Sequence, residues 1–249
     1  MSAALIALIR RPRPTSDQLA ARRAERRPWK AELAEGFRWL WSHALLRTLA
    51  IVLGLLNMLG TLSTATFVLY GQEVLGTTPT EFALLGTGGA VGGIVGGWTA
   101  SNIAKRIGAG PSLAATLLGG GTISIAIGLM SWWPAVWLML GAYMFVAVLW
   151  NVITVSFRQT VIPDQLLGRV NSVYRFFGWG MMPIGAALGG LVVVVSDLFV
   201  SREFAQRMPW FVAGILTIAL FAYAGPRLTT AKFAAARAAA LAEAPAEML

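Results

Sequence analysis

The stretch IGAGPSLAATLLGGGTISIAIGLMSWWPAVWLMLGAYMFVAVLWNVITVSF, residues 107–157, contains no charged side chain. As one helix it would be about 75 Å long at about 1.5 Å per residue, far more than the roughly 30 Å of hydrocarbon in a bilayer. Ser131-Trp132-Trp133-Pro134 divides it: Pro suits the first turn of a new helix and a Trp pair suits the membrane interface. Two membrane spans result, over 109–131 and 134–157. Working outward, the same test of about 20 uncharged apolar residues finds spans over 48–72 and 82–104 upstream, and over 172–196 and 208–226 downstream. The expected fold is all-α and multi-pass, with six transmembrane helices forming a domain over 48–226.

Composition agrees. The 249 residues are 57% hydrophobic and 12% charged, against roughly 25% charged in a soluble domain. Too few polar side chains remain to cover a water-facing surface. The absence of Cys and the single His, His43, leave disulfides, thiolate catalysis and Cys/His metal sites without ligands, so no metal or cofactor is expected. Paired carboxylates for an intramembrane enzyme are missing too. Formal net charge is +9. No stacking platform or recognition motif accompanies it, so a membrane-apposed segment is expected and not a nucleic-acid partner.

Charge in the loops sets an expected orientation. One side holds Lys105, Arg106, Arg158 and Arg169, joined by the basic N-terminal segment and by Arg227, Lys232 and Arg237. The other side holds Glu73 and Glu81, an uncharged turn at 131–134, and a balanced loop over 197–207. The positive-inside rule then puts both termini in the cytoplasm of a bacterial plasma membrane, as an even number of spans requires. Residues 1–9 are apolar but too short to cross, and their charges follow the apolar stretch, so they are expected to be the remnant of a preceding membrane helix. Residues 10–47 are expected to be a basic cytoplasmic linker. Within it Trp29, Leu33, Phe37, Leu40 and Ala44 recur at helical spacing, the pattern of an amphipathic helix on the membrane surface. Residues 227–249 are expected to form a cytoplasmic tail.

Glycines organise the second and fifth spans. Gly88, Gly92 and Gly96 fall four apart in one, and Pro183, Gly185 and Gly189 punctuate the other. Small residues at that spacing allow close helix approach, and Pro183 allows a bend. With the spans taken as two sets of three, both Gly-rich helices are the middle member, as two inverted repeats would leave them.

Several motifs carry a family resemblance. They are Glu35-Gly36-Phe37-Arg38-Trp39-Leu40, Trp150-Asn151, Arg158-Gln159, and above all Ile162-Pro163-Asp164-Gln165-Leu166-Leu167-Gly168-Arg169-Val170-Asn171-Ser172-Val173-Tyr174-Arg175. In these the chain resembles the C-terminal six-helix half of a major facilitator superfamily transporter, close to the enterobactin and macrolide exporters. The loop signature between second and third helices is reduced to Arg106-Ile107-Gly108, with Lys105 at its acidic position, and the antiporter signature is only echoed around Pro183 and Gly189-Gly190. The resemblance implies half of a 12-helix fold, efflux of a small molecule by alternating access, and as partner a separate N-terminal six-helix half or a second copy. The alternative is a truncated, non-transporting membrane protein that assembles with such a half.

Candidate site residues follow from chemistry inside the bilayer. No Asp or Glu lies well inside a span, so a proton-coupling carboxylate would have to come from elsewhere. The polar candidates for substrate contact are Asn57, Thr61 and Asn151, with Trp150 and Trp179 offering aromatic surface to an amphipathic ligand. Interhelical hydrogen bonding and packing are the competing roles. Arg158, Asp164, Arg169 and Arg175 cluster around the loop between the fourth and fifth spans. With Arg106 they are candidates for a cytoplasmic gate, Asp164 pairing to Arg106 or Arg158, and solvated loop charges that only orient the chain are the competing role.

Overall fold

The structure is a computed structural model that describes residues 29–243. The apolar stub over 1–9, half of the basic linker and the last residues of the tail lie outside it. The protein is all-α. Helix α1 (Trp29–Ser42) precedes six helices long and apolar enough to cross a membrane. These are α2 (Ala44–Thr64), α3 (Pro79–Ile107), α4 (Ala109–Leu129), α5 (Trp133–Val161), α6 (Asp164–Asp197) and α7 (Arg202–Ala224). A last helix, α8 (Thr230–Glu243), follows.

Local chemistry sets the boundaries. Thr78 and Glu81 form a reciprocal capping box at the start of α3, with Pro79 in the first turn. Gly108 alone separates α3 from α4, and its φ of +86° is one that a side chain would resist. Pro134 lies in the first turn of α5, as the Trp-Trp-Pro break predicts. Several boundaries differ from the sequence-based spans: α7 starts at Arg202 and not at 208, and α5 runs on to Val161. After Thr64 the first crossing breaks at Ala65-Thr66 and resumes as a short turn, Phe67–Leu69, and a π-helical turn, Tyr70–Val74. Helix α6 begins at Asp164, eight residues before the fifth apolar span, because Asp164 sits in its first turn behind Pro163. It then continues through Pro183 to Asp197.

Packing follows the inverted repeat of α2–α4 and α5–α7. The first helix of each set packs along the middle helix of the other: α2 on α6, and α5 on α3. The glycines make both seams. A Cβ on Gly88 or Gly92 would strike the carbonyl oxygen of Trp137 or Gly141, and one on Gly96 would lie 3.1 Å from that of Phe145. Likewise Gly185 and Gly189 face the carbonyls of Met58 and Leu62. In each seam the partners advance together by four, so both pairs run parallel with backbones in contact. The third helices, α4 and α7, cross antiparallel on the repeat axis. There a Cβ on Gly121 would meet the Gly214 oxygen at 2.7 Å, and one on Gly214 would meet the Gly121 oxygen at 2.6 Å.

Each end of the bundle is fastened differently. At the basic end α1 lies on α6, with Arg169 paired to Glu35 at 3.0 Å and Glu32 at 3.6 Å, and with Gly36 against the Arg169 backbone. The Phe233 side chain of α8 is buried against Phe157, and the Thr230 hydroxyl accepts from Gly110 N–H. At the opposite end Tyr70 donates to the carbonyls of Ile127 and Met130, at 2.6 and 2.9 Å. Arg207, only 8% exposed, donates to the carbonyls of Gly128 and Met130, to Ser131 Oγ and to Glu203. Both side chains cap the C-terminus of α4, where unpaired carbonyls gather.

Candidate functional site

Between the first helices of the two repeats lies a cavity of about 290 Å³. Helices α2 and α5 form its long walls, with Thr116 and Gly120 of α4, Met182 of α6 and Thr217 of α7 completing it. Glycines and Ala147 make the space. A Cβ on Gly60 would come within 3.3 Å of the Tyr143 hydroxyl. The lining is apolar, from Leu53, Leu56 and Val146, with isolated polar groups from Asn57, Thr61, Thr64, Tyr143 and Asn151. Apolar walls with a few placed polar groups are the usual make-up of a small-molecule site. Thr64, Asn151 and Met182 line the cavity yet remain exposed, so it opens on one flank of the bundle.

A second, wider cavity of about 530 Å³ adjoins it toward the basic end. The two share Leu53, Asn57 and Asn151. Arg158, Asn171, Tyr174, Arg175 and Trp179 line the rest. The Arg158 guanidinium sits 4.2 Å from the Tyr174 ring centre, and that of Arg175 sits 4.6 Å from the Trp179 ring. The Tyr174 hydroxyl donates to the Leu46 carbonyl, which fixes the ring under Arg158.

Four of the five residues singled out for substrate contact, Asn57, Thr61, Trp150 and Asn151, therefore line the inner cavity, and Trp179 lines the outer one. Their hydrogen bonds also serve the helices. Asn57 Nδ2 donates across to the Gly178 carbonyl at 3.0 Å, Asn151 Nδ2 donates to Ala147 in its own helix, and Thr61 donates to Asn57. Asn57 thus joins two helices and faces the cavity at once. Tyr143, Thr116 and Thr217 belong to the same wall but escaped the sequence reading. A lone hydroxyl in an apolar run was the available signal for each, and Ser and Thr commonly return that hydroxyl to their own helix, as Thr116 and Thr217 do.

The five gate candidates do not meet as one cluster. Arg158 and Arg175 line the outer cavity. Arg169 points to α1, and its acids are Glu32 and Glu35. Asp164, at the start of α6, and Arg106, in the last turn of α3, form no ion pair among the described residues. No group of three His, Asp or Glu side chains is placed to hold a metal among the described residues.

Comparison with known proteins gives one match. The profile of the Major Facilitator Superfamily aligns with residues 1–186, three quarters of the chain. Neither the curated proteins nor the solved structures give a match.

Proposed function

Because the chain belongs to the Major Facilitator Superfamily, a family of membrane transporters and not of enzymes, we propose that the cavity between α2 and α5 is the passage for its small-molecule substrate. The observation that carries this is the convergence of Asn57, Thr61, Trp150 and Asn151 on one space between the two repeats. Alternating access then consists of rocking about the smooth α2–α6 and α3–α5 seams. The resemblance to enterobactin and macrolide exporters supports export of an amphipathic compound from the cytoplasm. The basic loops support a plasma-membrane setting with both termini cytoplasmic.

The cavity's open flank supports a second six-helix unit. On this reading the chain corresponds to the C-terminal half, and an N-terminal half or a second copy closes the path. Among the described residues no carboxylate lines either cavity, so a coupling acid is assigned to that second unit. The gate residues divide between two tasks. Arg169 holds α1 on α6, and Asp164 with Arg106 is available to pair in the state closed at the basic end.

The test is accumulation of the neutral dye N-phenyl-1-naphthylamine in cells expressing the chain with a matching six-helix unit. Export lowers accumulation, and Ala147→Trp, which fills the inner cavity, restores it. If the well-folded Ala147→Trp protein exports as the parent does, the cavity is not the path. A monodisperse homodimer that transports in liposomes would assign the second unit to another copy of the chain.

A further inference from the structure

Among the described residues, the outer cavity combines two cations with no anion. Arg158 and Arg175 line it together with Asn57, Asn151 and Asn171, and no described Asp or Glu does. Three arginines elsewhere in the bundle pair with acids: Arg169 with Glu32 and Glu35, Arg202 with Glu73 and Asp197, and Arg207 with Glu203. Arg158 and Arg175 instead rest over Tyr174 and Trp179, contacts that hold a cation without consuming its N–H groups. A partly buried arginine without an acid, as Arg158 is among the described residues, is costly, and its usual justification is a ligand.

A second observation points the same way. Two side-chain N–H groups of α5 are buried without an acceptor among the described residues: Nε of Arg158 and Nε1 of Trp150. Both are donor-only groups. They lie eight residues apart on one helix, about 12 Å along its axis, one at each of the adjoining cavities. Buried donors are almost always paired. The passage therefore offers positive charge and spare donors, and among the described residues it offers no carboxylate.

We propose that the passage prefers an amphipathic organic anion to a neutral amphipathic compound. Its carboxylate, sulfonate or phosphate lies between Arg158 and Arg175, where the guanidinium fork matches an oxyanion. Its apolar body extends past Asn57 and Asn151 into the inner cavity beside Trp150. This inference rests on the reading of the cavity as the transport path.

The experiment uses the full chain in phosphatidylcholine nanodiscs and two dyes with one ring system. 8-Anilinonaphthalene-1-sulfonate is the anion, N-phenyl-1-naphthylamine its neutral counterpart, and binding is read by tryptophan quenching above empty discs. The anion should bind at least about ten-fold more tightly, the scale of a charge-assisted hydrogen bond. Arg158→Gln should remove most of that preference, and Arg158→Lys should keep part of it. Arg175→Gln, at an exposed position that does not threaten folding, should weaken the anion about three-fold or more and leave the neutral dye unchanged. Equal affinity for the two dyes, or a preference that survives the double Gln variant, overturns the proposal. Loss of anion binding when phosphatidylglycerol is added to the discs assigns the site to a lipid headgroup and also overturns it. If Ala147→Trp leaves both dyes bound as before, the path reading falls as well. If it displaces the neutral dye while the arginine variants change nothing, the anion inference falls alone.

Discussion

Replacing Gly92 by Ala adds one methyl group at the tightest point of the α3–α5 seam. That methyl would fall on the Gly141 carbonyl, with the carbonyl carbon 2.6 Å and Cα 2.8 Å away. Ordinary contact begins at 3.4 Å, so the helices must separate locally by at least about 0.8 Å to readmit the carbon, and by more to readmit the oxygen. A gap of 0.5–1 Å forfeits roughly a quarter to a half of each van der Waals well along the seam. Overpacking of this kind costs about 1–3 kcal/mol, and the backbone on both sides puts Gly92 at the upper end. Gly97→Ala is the matched control, on the same helix with none of the described residues within 4 Å of its would-be Cβ. Both variants share the gain of roughly 1 kcal/mol in helix propensity, so it cancels between them. The expected difference is about 3 kcal/mol, or roughly 6–12 °C in Tm for a chain of this size. Intrinsic-fluorescence melting in one detergent measures it. Gly92→Ala melting within 2 °C of Gly97→Ala, on a scale of about 2–4 °C per kcal/mol, would refute close backbone contact as the basis of the seam.

Three other outcomes are expected. Arg207→Gln strips the α4 C-terminus of charged donors and should cost about 2–4 kcal/mol; Arg207→Lys should recover part of that Tm loss in the same assay, and an unchanged melt would contradict the capping role. Gly36→Val should drive α1 off α6, because a Cβ added there would lie 2.9 Å from the Arg169 carbonyl carbon; a spin label at Ala31→Cys, the lone thiol in a chain without Cys, should gain mobility on a nanosecond scale. Breaking the half-exposed pairs to Glu32 and Glu35 alone should cost under about 1 kcal/mol and mobilise the label less. Thr80→Cys and Ala235→Cys, both exposed and at opposite ends, test sidedness. In intact cells an impermeant maleimide should label Thr80→Cys only, and the reverse pattern would invert the orientation.

Six crossings were legible in the sequence because hydrocarbon thickness imposes a simple length rule, and the Trp-Trp-Pro break obeyed it. The glycine strip was legible as a smooth face, since spacing by four survives in any helix. Its partner was not. Nothing near Gly92 in the chain points to Gly141, because seam complementarity belongs to two helices at once. The break after Thr64 was hidden for a different reason: no Pro or charge interrupts residues 48–72. Tyr70 holds that segment by reaching the α4 carbonyls, a tertiary contact invisible to local pattern. The site was half legible. Asn57 and Asn151 stood out as amides in an apolar run, whereas the separation of Arg169 from Arg175 depends on which face of α6 each occupies, and Arg158 joins Arg175 from α5.

The crosswise pairing of α2 with α6 and of α3 with α5 has a consequence for biosynthesis. Gly185 follows its seam partner Met58 by 127 positions, whereas Gly141 follows Gly92 by only 49. At roughly 5–20 residues per second, the ribosome needs about 6–25 s after making Met58 before it delivers Gly185. Throughout that interval α2 waits in the bilayer with Met58 and Leu62 bare of the backbone that will cover them. The α3–α5 seam closes first, and α2 must be sheltered by lipid or by an insertase until the fifth crossing arrives.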